Sequence, residues 1–112
     1  MKRIYICGSF KFLDRMKEVK RLLETRKFDV LMPKGATSGI LGCLEKIDAA
    51  DAVYVVDPDG YVGKSVSVDI GYAHAKNKPI YVMHMIEDPP VMGMIRGVLS
   101  FKELIDLLLK RS

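Results

Sequence analysis

The sequence predicts an α/β domain built around a parallel sheet. Short β-branched and aromatic runs alternate with longer segments whose apolar residues recur at helical spacing. The run Ala52-Val53-Tyr54-Val55-Val56 is apolar throughout, as expected for a central parallel strand buried on both faces. Strand and helix signals follow one another with no linker and no internal repeat, which implies crossover helices on both faces of one sheet.

Residues 3–7 open the pattern as a strand, on Ile4, Tyr5 and Ile6, and Gly8-Ser9 breaks it. Phe12, Met16, Val19 and Leu23 predict a helix over residues 12–27. A second strand is expected at 28–32, stopped by Pro33, and then a Gly/Ser/Thr loop at 34–39. Ile40, Leu44 and Ile47 share one side of a helix over 40–50, and the central strand follows at 52–56. Asp57-Pro58-Asp59-Gly60 is turn chemistry. A third helix is expected at 65–77, a strand at 80–84, a loop at 87–90 and a short strand at 97–99. The last helix, 100–110, opens with a Ser100/Glu103 capping box and buries Phe101, Leu104, Ile105 and Leu108. The expected whole is a single domain over 1–112, a flavodoxin-like three-layer sandwich on a five-stranded parallel sheet.

Composition narrows the function. A chain of 112 residues, 49% hydrophobic and 29% charged, is an ordinary globular domain able to bury its own core. No apolar run approaches the roughly 20 residues of a membrane span, and the segment before Gly8 is too short for a signal-peptide core. Cys7 and Cys43 form no C-x-x-C pair, so reduced, buried thiols and a cytoplasmic location are expected. His74 and His84 lack metal-ligand spacing, and neither a metal nor another cofactor is expected. A net charge of +4, spread over helix faces, suits a small anionic ligand and does not call for a polynucleotide.

In such a sheet the ligand crevice lies past the carboxyl ends of strands 1 and 3, where the winding reverses. That rule selects Gly8-Ser9-Phe10-Lys11 and the stretch from Asp57 to Asp69. Gly8 and Ser9 either make a plain capped turn or admit an anion to free N–H groups, with Lys11 adding positive charge. In the second segment Gly60, Gly63, Ser65 and Ser67 lead to Asp69. Ser65 or Ser67 could cap the third helix, with Asp69 in its first turn favouring the dipole. Alternatively Asp69 presents a carboxylate at the crevice, beside hydroxyls that hold sugar or phosphate oxygens. A phosphoacceptor receiver needs an acidic pair after strand 1, where this chain has Cys7-Gly8-Ser9. A flavodoxin needs a hydroxyl-rich first loop, which Gly8-Ser9-Phe10-Lys11-Phe12 is not.

Four stretches together resemble the nucleoside 2-deoxyribosyltransferase-like family, more closely its 2′-deoxynucleoside 5′-phosphate N-hydrolase branch. They are Ile4-Tyr5-Ile6-Cys7-Gly8-Ser9, Ala50-Asp51-Ala52-Val53, Asp69-Ile70-Gly71-Tyr72-Ala73 with Lys78-Pro79, and Met94-Ile95-Arg96-Gly97. The resemblance implies cleavage of an N-glycosidic bond by a carboxylate that attacks the anomeric carbon, as in retaining glycoside chemistry. It implies Asp69 as nucleophile and Tyr5 beside it. Gly8, Ser9, Lys11, Gly63, Ser65 and Ser67 fall where substrate is held, with Lys11 where the phosphate-using branch has a basic residue. It also implies a homodimer in which the segment 92–97, with Arg96, lies near the neighbouring site.

Departures from the family pattern are specific. Its nucleophile is usually glutamate, one methylene longer than Asp69. Cys43 stands where the family has an aspartate that helps protonate the leaving base, and Asp48 lies over a turn further on. Met92 replaces a phosphate-contacting serine, and the loop before Asp69 is about two residues longer than the family's. These changes motivate an alternative function, a nucleotide-binding module that keeps the crevice without the chemistry. A different small-molecule reaction on the same fold is the remaining option.

Overall fold

The computed structural model describes residues 2–33 and 39–110, with Gly39 and Ile40 described by their backbone alone. The expected loop at 34–39 therefore lies outside the described residues, apart from Gly39. Five strands form one all-parallel sheet in the order β2-β1-β3-β4-β5: β1 (Arg3–Cys7), β2 (Asp29–Leu31), β3 (Ala52–Val55), β4 (Ile80–Val82) and β5 (Gly97–Val98). The connecting helices are α1 (Leu13–Thr25), α2 (Gly39–Ala49), α3 (Lys64–Ala75), the single turn α4 (Pro89–Met92) and α5 (Phe101–Lys110). This is the architecture that the alternating pattern predicts.

Period-two alternation along β1 divides the core. Ile4 and Ile6 face a layer with Met16, Val19 and Leu23 of α1 and Leu104, Ile105 and Leu108 of α5. Tyr5 and Cys7 face the opposite layer, with Cys43 and Ile47 of α2 and Val66, Ile70 and Ala73 of α3. Both layers are apolar because a parallel sheet has no face left for water.

Several boundaries shift for identifiable reasons. Ser9 caps a 3-10 turn, Phe10–Phe12, so α1 begins at Leu13 rather than at 12. Lys27 and Asn77 take left-handed backbone (φ 68° and 60°) just past α1 and α3, ending both helices before the residues the periodicity suggested. Residues 87–90, expected as loop, run into α4, which begins at Pro89: the Asp88 side chain accepts from the Val91 N–H at 3.2 Å, and proline occupies its first positions. The Ser100/Glu103 capping box forms, with reciprocal bonds of 3.0 and 3.2 Å.

The winding reverses between β1 and β3, which pair from Ile4–Ala52 to Cys7–Val55. The pairing runs on past the ladder, as the Val56 N–H donates to the Cys7 carbonyl at 2.8 Å. Gly8 lies so close to strand 3 that a Cβ there would fall on the Val56 carbonyl oxygen. At the β2 edge a groove of about 480 Å³ runs between Phe10, Lys17 and Lys20 on one side and Lys46 on the other. Gly8→Ala is expected to lower the unfolding free energy by about 1–3 kcal/mol in a denaturant titration. Gly42→Ala, in α2 with nothing within 4 Å of the added carbon, raises it by about 0.5–1 kcal/mol.

Candidate active site

α3 places the central residue. Its core-facing stripe is Val66, Asp69, Ile70 and Ala73, so a carboxylate occupies a position that helical spacing otherwise fills with apolar side chains. The helix starts at Lys64 after Gly63, and neither Ser65 nor Ser67 caps it; no side chain does. Asp69 therefore sits in the second turn, not the first, and the helix dipole does not account for it. It is 3% exposed. The Tyr5 hydroxyl, reaching up from β1, donates to Asp69 Oδ2 at 3.1 Å. Asp69 Oδ1 is buried and has no hydrogen-bond partner among the described residues.

Burial raises the Asp69 carboxyl to about 6, and the Tyr5 hydrogen bond pulls it partly back. Tyr5 itself is pushed well above the usual phenol range, first by burial and then by neighbouring Cys7 and Asp69, so it stays a neutral donor. The neighbouring Cys43 thiol raises it further. Cys7 is raised as well, by burial and then by Asp69, Asp57 and Cys43. Tyr5, Asp69, Cys7 and Cys43 thus form one cluster, and both thiols are free and buried.

A second carboxylate, at the start of the selected crevice stretch, is given no side-chain role by the sequence reading, which assigns Asp57 to a turn. That turn exists, with the Gly60 N–H bonded to the Asp57 carbonyl at 3.0 Å. The Asp57 side chain, however, is 1% exposed and accepts from the Ser9 N–H at 2.8 Å, while its other oxygen is buried without a partner among the described residues. Burial lifts it to about 6, against the pull of the Ser9 N–H. Its position directly after the apolar central strand was the available signal.

The first loop is tied to the same segment. Lys11 Nζ lies 2.6 Å from Asp59 Oδ2, which holds Lys11 above and Asp59 below their ordinary ranges. The other Asp59 oxygen accepts from the Tyr61 N–H at 3.1 Å. Gly8, Ser9 and Lys11 are therefore brought to the Asp57–Asp59 segment. Ser65 is exposed one turn before Asp69 on α3, and Ser67 is half-buried.

Arg96 is not joined to this cluster within the chain. Exposed just before β5, it lines a separate cleft with His74, Asn77 and Lys78, and its N–H bonds the Ile80 carbonyl. Asp48 is committed elsewhere too, with its two oxygens 2.8 and 2.9 Å from the Tyr72 hydroxyl. Met92 ends α4 and packs against the α2–α3 layer. Among the described residues no group of three or more His, Cys, Asp or Glu is placed to hold a metal ion.

No protein-family model and no curated protein sequence matches the chain. Solved structures do share its fold. A conserved protein from Enterococcus faecalis V583 superposes with a TM-score of 0.79 at 16% identity, over 100% of this chain and 99% of that one. A 2-deoxyribosyltransferase from Bacillus psychrosaccharolyticus gives 0.68 at 13% identity, over 91% and 89% of the two chains. The CMP N-glycosidase of Clostridium botulinum gives 0.59 at 17%, over 96% and 98%. The fold is thus the one that the resemblance in the sequence implies.

A carboxyl raised in the folded state binds its proton there more tightly than in the unfolded chain, so its stabilising effect is lost as pH rises from about 4 to about 6. Asp69→Asn keeps an acceptor for Tyr5 and removes the buried charge. It is expected to raise stability by about 1–3 kcal/mol at pH 7 and to leave it unchanged near pH 4, measured by chemical denaturation across that range.

Proposed function

We propose that this chain cleaves or transfers the N-glycosidic bond of a (deoxy)nucleoside or its 5′-monophosphate, with Asp69 as nucleophile. The observation that carries this reading is the Tyr5–Asp69 pair: a buried carboxylate oriented by a neutral phenol at 3.1 Å, next to the winding reversal. The four sequence stretches support it, as do the shared folds of a deoxyribosyltransferase and a CMP N-glycosidase.

In the proposed reaction an oxygen of ionised Asp69 attacks C1′ of the sugar. The C1′–N bond breaks with its electron pair going to the base, and the base nitrogen takes up a proton from solvent. Cys43, in the place of the family's acid, is not assigned that proton transfer. Water then attacks C1′ of the sugar ester, releases the Asp69 carboxylate and loses a proton; in transfer, a second base nitrogen replaces water. Tyr5 fixes the carboxylate rotamer and, remaining protonated, donates throughout. Gly8, Ser9, Lys11, Gly63, Ser65 and Ser67 are assigned to holding substrate.

Because Arg96 stands away from Asp69 within one chain, its part in the site requires a second copy. A homodimer joined near the segment 92–97 belongs to the same proposal. Among the described residues no helix is long and apolar enough to cross a membrane, and a cytoplasmic setting is proposed with the rest.

A binding module without turnover is the second reading, favoured by the 3% exposure of Asp69 and by Cys43 in the acid's place. Chromatography of free base after incubation with deoxynucleosides and their 5′-monophosphates separates the two. Release is expected, and Asp69→Asn lowers it by at least about a thousandfold. Nucleotide-dependent thermal stabilisation without release establishes the module instead.

The rate should fall on the acid side with an apparent pKa of about 6, as Asp69 takes up its proton. Tyr5→Phe removes the bond that lowers that value. It is expected to cut the rate about 10–100-fold and to move the acid limb to higher pH.

A further inference from the structure

We propose that the crevice takes the unphosphorylated nucleoside, and that Asp57 and Asp59 discriminate against its 5′-monophosphate. This rests on the N-glycosidic reading and narrows its substrate class.

Two groups of the first loop that a phosphate would use, one N–H and the ammonium, are already engaged. The Ser9 N–H, the loop's natural anion donor, is bonded to the Asp57 carboxylate at 2.8 Å. Lys11, the loop's cation, is held by Asp59 at 2.6 Å, and the Tyr61 N–H fixes the other Asp59 oxygen at 3.1 Å. Both contacts come from the chain directly after β3, on the far side of the reversal. A phosphate at this loop would have to displace a carboxylate from each donor while keeping both carboxylates as neighbours.

What the site still lacks is hydrogen-bond donors. Asp57 and Asp69 are 1% and 3% exposed, and each keeps one buried oxygen without a partner among the described residues. An unpartnered carboxylate oxygen is matched by an O–H or N–H. Sugar hydroxyls supply these, and a phosphate dianion supplies only more acceptors. Among the described residues of the first loop and the Asp57–Asp59 segment, Asp57 and Asp59, with Asp69 beyond them, stand against the ammonium of Lys11. Among the described residues of these segments, Lys64, exposed in the first turn of α3, is the cation that remains to an incoming phosphate, and one exposed ammonium does not offset the two carboxylates left once Lys11 is paired with Asp59.

The test pairs each 2′-deoxynucleoside with its own 5′-monophosphate at fixed ionic strength and pH 7, reading free base by chromatography. The expected kcat/KM is at least about tenfold higher for the nucleoside. Asp59→Asn keeps an acceptor for the Tyr61 N–H and releases the charge on Lys11, so it should narrow the ratio; Lys11→Ala should widen it. An equal or higher kcat/KM for the monophosphate overturns the proposal, as does a ratio that Asp59→Asn leaves unchanged. If neither compound yields base, the catalytic reading fails, and calorimetric binding of the same pairs decides the inference separately. Tighter binding of the nucleoside upholds it; equal or tighter binding of the monophosphate, or binding of neither, overturns it.

Discussion

The close approach of the chain just past β1 to the chain just past β3 is the constraint on which the site depends. The ladder continues one bond beyond its last residue pair, from Val56 to Cys7. Gly8 can lie there only because it carries no side chain to meet the Val56 carbonyl. Once that contact is made, Asp57 meets the Ser9 amide and Asp59 meets Lys11, so two loops of distant sequence become one wall. A bulkier residue at position 8 would push these loops apart and leave Asp57 buried without its donor.

The same region is poor ground for stability. Asp69 interrupts the apolar stripe of α3, and Asp57 ends the apolar central strand; each is buried, and each is raised to about 6 by that burial. Leucine or alanine at either position would suit the core better. One phenol bond and one amide bond stabilise these carboxylates only in part. Two buried carboxylates, each with one oxygen left without a partner among the described residues, make this region the candidate site.

Much of this was legible in the sequence, for physical reasons. The strands are short and β-branched, the helices amphipathic, and the crossover rule then admits few arrangements; the last helix even carries its cap in its letters. The meeting of the first loop with the segment after β3 followed from the sheet order, and the sequence singles out Asp69 by its place after β3. Other features were hidden by plausible local explanations. Ser65 and Ser67 look like caps, yet the helix starts after Gly63, where no side chain bonds the first amides. Asp88-Pro89-Pro90 is too short a helix for periodicity to register. Asp57 sits in a complete Asp-Pro-Asp-Gly turn, which explains its backbone and conceals its side chain. The commitment of Lys11 to Asp59 is a tertiary contact, with no trace in spacing.

The groove along β2 bears on how copies of the molecule can meet. Both margins of the sheet are short, three residues at β2 and two at β5. The β2 margin is flanked by Lys17, Lys20 and Lys46, whose ammonium groups hold water that an arriving strand would have to strip away. A neighbouring chain therefore finds no template there for extending the ladder into a continuous ribbon. On that side the ladder ends at β2, and the sheet stays finite there.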